Sequence, residues 1–277
     1  MRIFETVASF RAACAVAKRP LGLVPTMGAL HAGHRSLLDR ARSDNSTLAA
    51  TIFVNPTQFG PSEDYSEYPR DLKSDLAMME ETGVDLLFTP SAKEMYPEGF
   101  DTSIDVGRIA QRLEGEHRPD HFIGVATVVC KLLSIARPDR AYFGQKDAQQ
   151  SLVIKRLNTD LNLGAEIVIC PTVREPDGLA LSSRNNYMGP PGREAATVLY
   201  RSLKLAEDLG TSDANEIRSR MRNLIGSETL ASIEYVSVAD AETLEELDVI
   251  DRPALVSLAV HIGATRLIDN ILINSDG

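Results

Sequence analysis

The sequence predicts an α/β fold, with a doubly wound, mostly parallel sheet followed by a second, smaller α+β domain. Over roughly the first 170 residues, short apolar runs alternate with longer amphipathic runs, as in strand–helix repeats of a parallel sheet. A proline-rich stretch without periodicity, 171–192, interrupts this pattern, and two helical runs and three strand-like runs follow it. We therefore expect a Rossmann-like domain over 1–172 and a small α+β domain over 173–277, which could close as a lid through the long linker.

The individual elements follow from the spacing of apolar residues. Short apolar runs rich in β-branched residues predict strands, and longer runs with apolar residues on one face predict helices. The first domain is expected to hold strands at 21–25, 47–55, 84–90, 141–144 and 165–171, and helices at 33–43, 71–83, 124–138 and 146–161. The second is expected to hold helices at about 193–209 and 213–225, then strands at 232–240, 254–263 and 265–273. Ligands of such sheets bind at the carboxyl ends of the strands, so the segments that follow strands are the candidate site.

The composition excludes several function classes. The 277 residues are 43% hydrophobic and 25% charged, which is enough to bury a core and excludes intrinsic disorder. A net charge of −10 lacks the basic footprint of a nucleic-acid-binding protein. Three widely spaced cysteines form no zinc pattern and indicate free thiols in a reducing cytosol. The longest uncharged apolar run, about 253–264, is far shorter than the ~20 residues of a membrane span. We expect a cytoplasmic protein with no nucleic-acid or membrane partner.

Two histidines follow the first predicted strand. His31 and His34 are three residues apart at the entrance of a predicted helix, so both can face one point. Gly28 and Gly33 allow the backbone to approach a ligand closely. A helix start offers N–H groups and a partial positive charge, which suits a phosphate. From the spacing alone, a phosphate site and a pair of surface histidines beside a helix cap are equally good interpretations. A metal site would need a further ligand.

Three other segments follow strands or lie in the long loop. Gln58 carries both a donor and an acceptor and could bind a small polar substrate, or could lie in a solvated turn. Lys146, at a helix entrance, could place a mobile positive charge on triphosphate oxygens or could be a solvated lysine. Arg184 could bind a phosphate through both guanidinium arms, although the hydroxyl-rich segment around it also fits an ordinary turn.

The strings that contain these residues resemble one enzyme family. The string PTMGALHAGHRSLL, which starts at Pro25, closely resembles the pantothenate synthetases (pantoate–β-alanine ligases). Its His-x-Gly-His core is also similar to the signature of the wider nucleotidyltransferase superfamily. The strings IFVNPTQFGPSEDYSEYPRDL (52–72), YFGQKDAQQ (142–150) and LALSSRNNY (179–187) follow in the family's order and spacing. The resemblance therefore spans nearly the whole chain.

The resemblance implies an ATP-dependent ligase that joins (R)-pantoate to β-alanine through a pantoyl adenylate, with Mg²⁺, in a homodimer. The domain over 1–172 would bind the nucleotide and pantoate. Catalysis is implied at His31, His34, Lys146 and Arg184, pantoate binding at Gln58 and Gln150, and β-alanine binding at Gln58. ATP contacts are implied at Met27, Gly28, Ala29, Leu30, His31, Ala32, Gly33, His34, Gly144, Gln145, Lys146, Asp147, Val173, Leu181, Ser182, Ser183 and Arg184. No protein ligand for a metal is implied.

Some features of the chain leave other interpretations open. The family assigns the position of His34 as a proton donor, but electrostatic stabilisation fits better because the reacting carboxylate has no proton to give. Many relatives have Glu where this chain has Gln145, which removes one charge. A second histidine pair, His117 and His121, resembles a family stretch that lines the pantoate pocket, although its spacing could also mimic metal ligands. The alternatives are a nucleotidylyltransferase for another small metabolite and a non-catalytic nucleotide-binding module.

Overall fold

A six-stranded parallel sheet forms the centre of the first part of the chain. The computed structural model describes residues 1–61 and 63–274. In chain order, strands β1 to β6 lie at Arg2–Phe4, Leu21–Thr26, Thr47–Ile52, Leu86–Phe88, Arg140–Gly144 and Glu166–Cys170. Their order across the sheet is β1-β4-β3-β2-β5-β6, and each pairing among them is parallel. The order of the strands reverses between β2 and β5, and in open α/β sheets ligands bind at such a reversal, outside the carboxyl ends of the strands.

Helices connect these strands. In chain order, α1 to α7 lie at Val7–Ala15, Ala32–Asp44, Leu72–Glu81, Ala92–Met95, Glu114–His117, His121–Ala136 and Ala148–Asp160. The strands and long helices expected from the sequence are present, with ends shifted by a few residues. The elements β1 and α1 were not predicted; in the case of β1, a strand of three residues leaves no alternation to detect.

Both faces of the sheet are buried, and the side chains of successive residues in a strand point to opposite faces. In β2, Leu21 and Leu23 pack in one apolar cluster with Phe10 of α1 and with α6. The neighbouring Val24 packs in a second cluster with Leu38 of α2 and with α3. This alternation explains why the strands read as continuous apolar runs, which is typical of a parallel sheet covered by helices on both sides.

The second part of the chain is a small α+β unit. Helices α8 to α10 lie at Pro190–Ala195, Thr197–Asp208 and Ala214–Gly226, and strands β7 to β9 at Ala231–Asp240, Ala254–Ile262 and Thr265–Ile273. The strands form an antiparallel sheet in the order β7-β8-β9. Apolar residues of α9, α10 and the three strands form a single cluster. The predicted fold class, a parallel α/β sheet with a smaller α+β domain, is confirmed.

The chain divides into two compact units. Met1–Gly144 and Gln149–Pro171 form the first unit, while Gln145–Ala148 cluster with the residues from Thr172 onward in the second. The sequence predicts a single boundary between residues 172 and 173, whereas here the short segment that follows β5 also belongs to the second unit. Within the second unit, the side chain of Asn270 in β9 forms hydrogen bonds with residues of this segment. No helix within the described residues is both long and apolar enough to span a bilayer.

Candidate active site

The turn that leaves β2 requires glycine at its start. Gly28 and Ala29 have positive φ angles of 85° and 51°, in the region that favours glycine. A Cβ added to Gly28 would lie 2.8 Å from Oδ2 of Asp75 and 3.1 Å from Cγ2 of Ile52. The N–H of Gly28 donates to Oγ1 of Thr26 at 3.2 Å. The glycine therefore allows the chain to turn sharply from the sheet edge into α2.

A buried carboxylate that the sequence analysis did not identify holds this turn. Asp75 of α3 accepts hydrogen bonds from the N–H groups of Ala29, at 3.0 Å, and Leu30, at 2.8 Å. Asp75 is only 2% exposed, and its burial raises the pKa of the carboxyl although both backbone bonds oppose the shift. The sequence alone predicts N–H groups near this helix start that are open to a phosphate. These two are already paired within the protein, so ATP would have to contact other atoms of the turn.

His31 and His34 form a reciprocal cap at the start of α2. Nδ1 of His31 accepts a hydrogen bond from the N–H of Gly33 at 3.1 Å, and Nδ1 of His34 accepts one from the N–H of His31 at 3.3 Å. A neutral imidazole whose Nδ1 accepts carries its proton on Nε2. The ring centroids are 4.2 Å apart. The structure therefore brings the two rings together at the end of β2, as expected, but the N–H of Gly33 is capped rather than open.

Gln58 lies in a 3-10 turn at Pro56–Gln58. This turn follows β3, the strand that pairs with β2. Nε2 of Gln58 lies 3.3 Å from Sδ of Met27. The structure thus brings together two residues that the sequence analysis assigned to different ligands. Asn55, which is only 1% exposed, donates to Oε1 of Gln58 at 3.0 Å. Asn55 is not recognisable as a site residue from the sequence, because an Asn-Pro pair is also an ordinary turn signal.

The stretch from Arg118 to His121 supports the backbone of Gln58. Nδ1 of His121 lies 2.8 Å from the carbonyl oxygen of Gln58, which can only accept, so this nitrogen is the donor. Nε2 of the same ring lies 3.1 Å from Nη1 of Arg118 and accepts from it. The guanidinium of Arg118 also binds both carboxylate oxygens of Glu63, at 2.9 and 2.6 Å. Both ring nitrogens of His121 are thus used in protein contacts, and the alternative that it is a metal ligand has no support in this geometry.

The burial of His121 gives a testable pH dependence. Burial, reinforced by the charge of Arg118, lowers the pKa of His121 from 6.5 to about 4. Between these values the unfolded chain binds a proton at this ring that the folded chain does not, so stability should fall as the pH drops from about 6.5 towards 4. We expect the melting temperature of His121→Gln to depend less on pH over this interval than that of the wild type. The control is His261→Gln, in the second unit. An equal pH slope in wild type and His121→Gln would contradict this account.

The remaining candidate residues of the first unit lie around β5 and α7. Gly144 ends β5, and its carbonyl oxygen accepts from Oγ of Ser151 at 3.4 Å. Gln150 is half-buried on α7. The preceding Gln149 is buried and bonds backbone atoms of Ile109, Arg112 and Glu114. The side chain of Gln149 therefore has a structural role within the first unit, whereas the adjacent Gln150 is only half-buried.

In the second unit, Asn270 holds the turn that carries Lys146. Its Nδ2 donates to the carbonyl oxygens of Gln145, at 3.1 Å, and Lys146, at 2.9 Å, and its Oδ1 accepts from Nε2 of Gln145 at 3.0 Å. Nζ of Lys146 lies 3.8 Å from Oδ1 of Asp147. Asn270 is 4% exposed. A buried asparagine that is 124 residues away in the sequence thus fixes the backbone of the predicted ATP-binding turn.

The other candidates of the second unit lie in one irregular loop. The N–H of Leu181 donates to the carbonyl oxygen of Val173 at 3.0 Å. Ser182 caps the 3-10 turn Ser183–Tyr187, and its Oγ accepts from the N–H of Arg184 at 3.3 Å. The loop that is aperiodic in the sequence therefore pairs Val173 with Leu181 and forms a capped turn at Ser182.

The comparisons with known proteins agree on one family. The sequence model described as pantoate-beta-alanine ligase matches residues 2–272. A pantothenate synthetase of Roseiflexus sp. (strain RS-1) is 58% identical over 278 residues, which is 99% of this chain and 100% of the relative. The crystal structure of pantothenate synthetase from Thermus thermophilus superposes with a TM-score of 0.93 at 46% identity, covering 98% of this chain and 99% of that one.

A further crystal structure adds ligands to the comparison. The pantoate-beta-alanine ligase of Francisella tularensis, complexed with beta-gamma ATP and beta-alanine, has a TM-score of 0.81 and 37% identity, and the match covers 98% of this chain and 97% of that one. These matches extend over both units rather than over the nucleotide-binding motif alone. The chain therefore belongs to the pantoate–β-alanine ligase family.

Proposed function

We propose that this chain condenses (R)-pantoate with β-alanine at the expense of ATP, giving pantothenate, AMP and pyrophosphate. The main structural support is the pair of imidazoles, His31 and His34, that cap α2 after the end of β2. This strand lies beside the reversal of strand order, where open α/β sheets bind their ligands. Membership of the ligase family supports the same reaction, as does the relative that was crystallised with beta-gamma ATP and beta-alanine.

The proposed reaction has two steps. A free carboxylate must be activated before an amine can attack it, and adenylation by ATP provides this activation. In the first step a carboxylate oxygen of pantoate attacks the α-phosphorus, and pyrophosphate leaves. In the second step the amine of β-alanine attacks the carbonyl carbon of the adenylate, AMP leaves, and the amine loses a proton. No covalent bond to the protein is needed in either step.

The role proposed for the histidines is electrostatic. Negative charge grows on the transferring and leaving phosphate oxygens during the first step. An Nε2–H held in place by backbone bonds to Nδ1 can donate to such an oxygen without first reorganising. Lys146 and Arg184 are proposed to add positive charge along the phosphates. The other ATP contacts implied by the resemblance remain part of this proposal.

Mg²⁺ is proposed as the partner of ATP. Within the described residues, no group of three or more His, Cys, Asp or Glu side chains is placed to hold a metal ion. Asp75, the buried carboxylate at the β2 exit, is already bonded to two backbone N–H groups. The protein side chains described here do not fit a dedicated cage, whereas Mg²⁺ commonly binds through substrate phosphates and water. We therefore propose that the ion binds with the nucleotide.

A homodimer and a cytoplasmic location complete the proposal. The resemblance supports the dimer, and light scattering of the purified protein would measure its mass. The free cysteines Cys14, Cys130 and Cys170 agree with a reducing compartment. A monomeric mass at assay concentrations would reject the dimer without affecting the proposed reaction.

Gln58→Ala tests the assignment of the substrate amide. We expect the dissociation constant of pantoate to rise about tenfold, because one hydrogen bond to a charged or hydroxyl oxygen is lost. ATP binding should remain within about twofold, and calorimetric titration would measure both. The matched control is Gln111→Ala, an exposed glutamine of the same unit. Unchanged pantoate affinity in Gln58→Ala would remove this residue from the pantoate site.

A complete reaction with single omissions tests the function. ATP, pantoate and β-alanine together should give equal amounts of AMP and pantothenate, and omission of any one should abolish both products. Exchange of pyrophosphate into ATP should require pantoate but not β-alanine. Exchange that depends on another metabolite would instead favour the nucleotidylyltransferase alternative, and ATP binding without AMP release would favour the non-catalytic binding module.

A further inference from the structure

We infer that Tyr96 is a positioning residue for this reaction. Through Asn55, its hydroxyl fixes the side-chain amide of Gln58 so that the NH₂ group, rather than the carbonyl oxygen, is available to the substrate. The inference rests on the proposed function, in which Gln58 binds pantoate and β-alanine. It assigns a role to a residue outside the motifs that the sequence analysis identified.

The carbonyl oxygen of Asn55 has three hydrogen-bond partners. Oη of Tyr96 donates to Oδ1 of Asn55 at 2.7 Å. Oγ1 of Thr57 donates to the same oxygen at 3.0 Å, and the N–H of Thr57 approaches it at 3.4 Å. The tyrosine hydroxyl makes the shortest of these contacts. The N–H of Thr57 can only donate, so the atom that faces it is the carbonyl oxygen, and both hydroxyls donate to this oxygen.

The contacts of the NH₂ group agree with this orientation, since the carbonyl oxygen of Gly124 can only accept. Nδ2 of Asn55 donates to the carbonyl oxygen of Gly124 at 3.2 Å and to Oε1 of Gln58 at 3.0 Å. A flipped amide would place its NH₂ group against the N–H of Thr57 and its oxygen against the carbonyl oxygen of Gly124. Asn55 is only 1% exposed, so water would not compensate for these losses. The buried asparagine therefore has one stable orientation.

This orientation determines what Gln58 can recognise. Because Oε1 of Gln58 already accepts from Asn55, its Nε2 is the end left for a ligand. In this structure Nε2 contacts Sδ of Met27 at 3.3 Å, and a thioether is a weak acceptor. A carboxylate or hydroxyl oxygen would be a much stronger partner. The geometry thus matches the oxygen atoms of pantoate and the carboxylate end of β-alanine, and not the ammonium group of β-alanine.

The ring of Tyr96 is held independently of its hydroxyl. It packs edge-on against Phe100 with ring centroids 5.2 Å apart, and Phe53 lies at 6.3 Å. The ammonium group of Lys131 lies 4.3 Å from the Phe100 centroid and 5.6 Å from the Tyr96 centroid. A phenylalanine at position 96 would preserve these contacts. The substitution Tyr96→Phe therefore removes the hydrogen bond to Asn55 while leaving the aromatic packing in place.

The test compares steady-state kinetics of the full-length wild type and Tyr96→Phe. We expect the KM for pantoate to rise about three- to tenfold, because one hydrogen bond that orients the amide is lost. The KM for ATP and the melting temperature should change little. Thr57→Val added to Tyr96→Phe should raise the pantoate KM further, since Thr57 donates to the same oxygen. The control is Tyr142→Phe, which removes a buried hydroxyl bonded to Asn45 at 2.7 Å and should affect stability but not the pantoate KM.

A double-variant cycle separates positioning from a general structural role. In a Gln58→Ala background, Tyr96→Phe should have no further effect on the pantoate KM, because the amide that it orients is absent. An equal rise in both backgrounds, or no rise in the wild-type background, would overturn the inference. A wild type that forms no pantothenate from the three substrates would reject the proposed function as well. An active wild type with an unaffected Tyr96→Phe variant rejects this inference alone.

Discussion

His34→Ala is expected to lower the rate of pantoate-dependent exchange of pyrophosphate into ATP by about 10²–10³-fold, the usual loss when one preorganised donor to a developing charge is removed. The backbone N–H of His31 binds Nδ1 of His34, which leaves the proton of the neutral ring on Nε2. Alanine offers no donor at this position. The exchange assay isolates the first step because it contains no β-alanine.

The same variant should also lose stability, because His34 is half of the helix cap. Loss of a capping acceptor typically costs about 1 kcal/mol. His34→Gln is the matched control, since glutamine at the third position of a helix can accept from the backbone N–H of the capping residue. We expect His34→Gln to melt close to the wild type and still lose most of the exchange activity. Near-normal exchange in both variants would contradict the proposed role of the imidazole.

Gly124→Ala is expected to have the largest effect on stability, together with loss of pantoate binding. A Cβ at Gly124 would lie 2.3 Å from the carbonyl oxygen of Thr57 and 2.6 Å from the backbone nitrogen of Gln58. Both neighbours are backbone atoms, so α6 or the 3-10 turn must move. Overpacking usually costs about 1–3 kcal/mol, and a clash with backbone falls at the upper end or beyond. Thermal unfolding and calorimetric titration with pantoate would measure the two effects.

Gly226→Ala is the matched control for this substitution. A Cβ at Gly226, the last residue of α10, would meet no atom within 4 Å. Alanine favours the helix over glycine by up to about 1 kcal/mol, less at a helix end, so this variant should be as stable as the wild type or slightly more so. Equal unfolding temperatures for Gly124→Ala and Gly226→Ala would contradict the close approach of α6 to the 3-10 turn at Pro56–Gln58.

The fold was predictable from the sequence because its signals are local. The strand Leu21–Thr26 and the helix His121–Ala136 are apolar over their lengths, and a parallel sheet with both faces covered needs such strands. The strand Arg2–Phe4 was missed because three residues carry no periodicity. The loop after Pro171 has no periodicity in the sequence, and its conformation includes turn-specific bonds such as the Ser182 cap.

The site was predictable only in part. Local spacing and family resemblance led to His31, His34 and Gln58, and their roles as ligands remain predictions. Asp75 and Tyr96 could not be found this way, because each acts through a partner more than 40 residues away in the sequence. An aspartate in the first turn of a helix looks like an ordinary helix-start carboxylate. A tyrosine before a proline looks like a packing residue. Their contacts become visible only in three dimensions.

The hydrogen bonds from Asn270 to the turn around Lys146 have a consequence for the order in which the protein folds during synthesis. A ribosome completes the turn around Lys146 long before it reaches β9, which supplies the buried amide that holds this turn. Until then the carbonyl oxygens of Gln145 and Lys146 lack the partner that they have in the finished chain. Contacts so distant in sequence form late during synthesis. In the nascent chain, the turn around Lys146 would therefore gain its hydrogen bonds to Asn270 only after β9 has emerged from the exit tunnel.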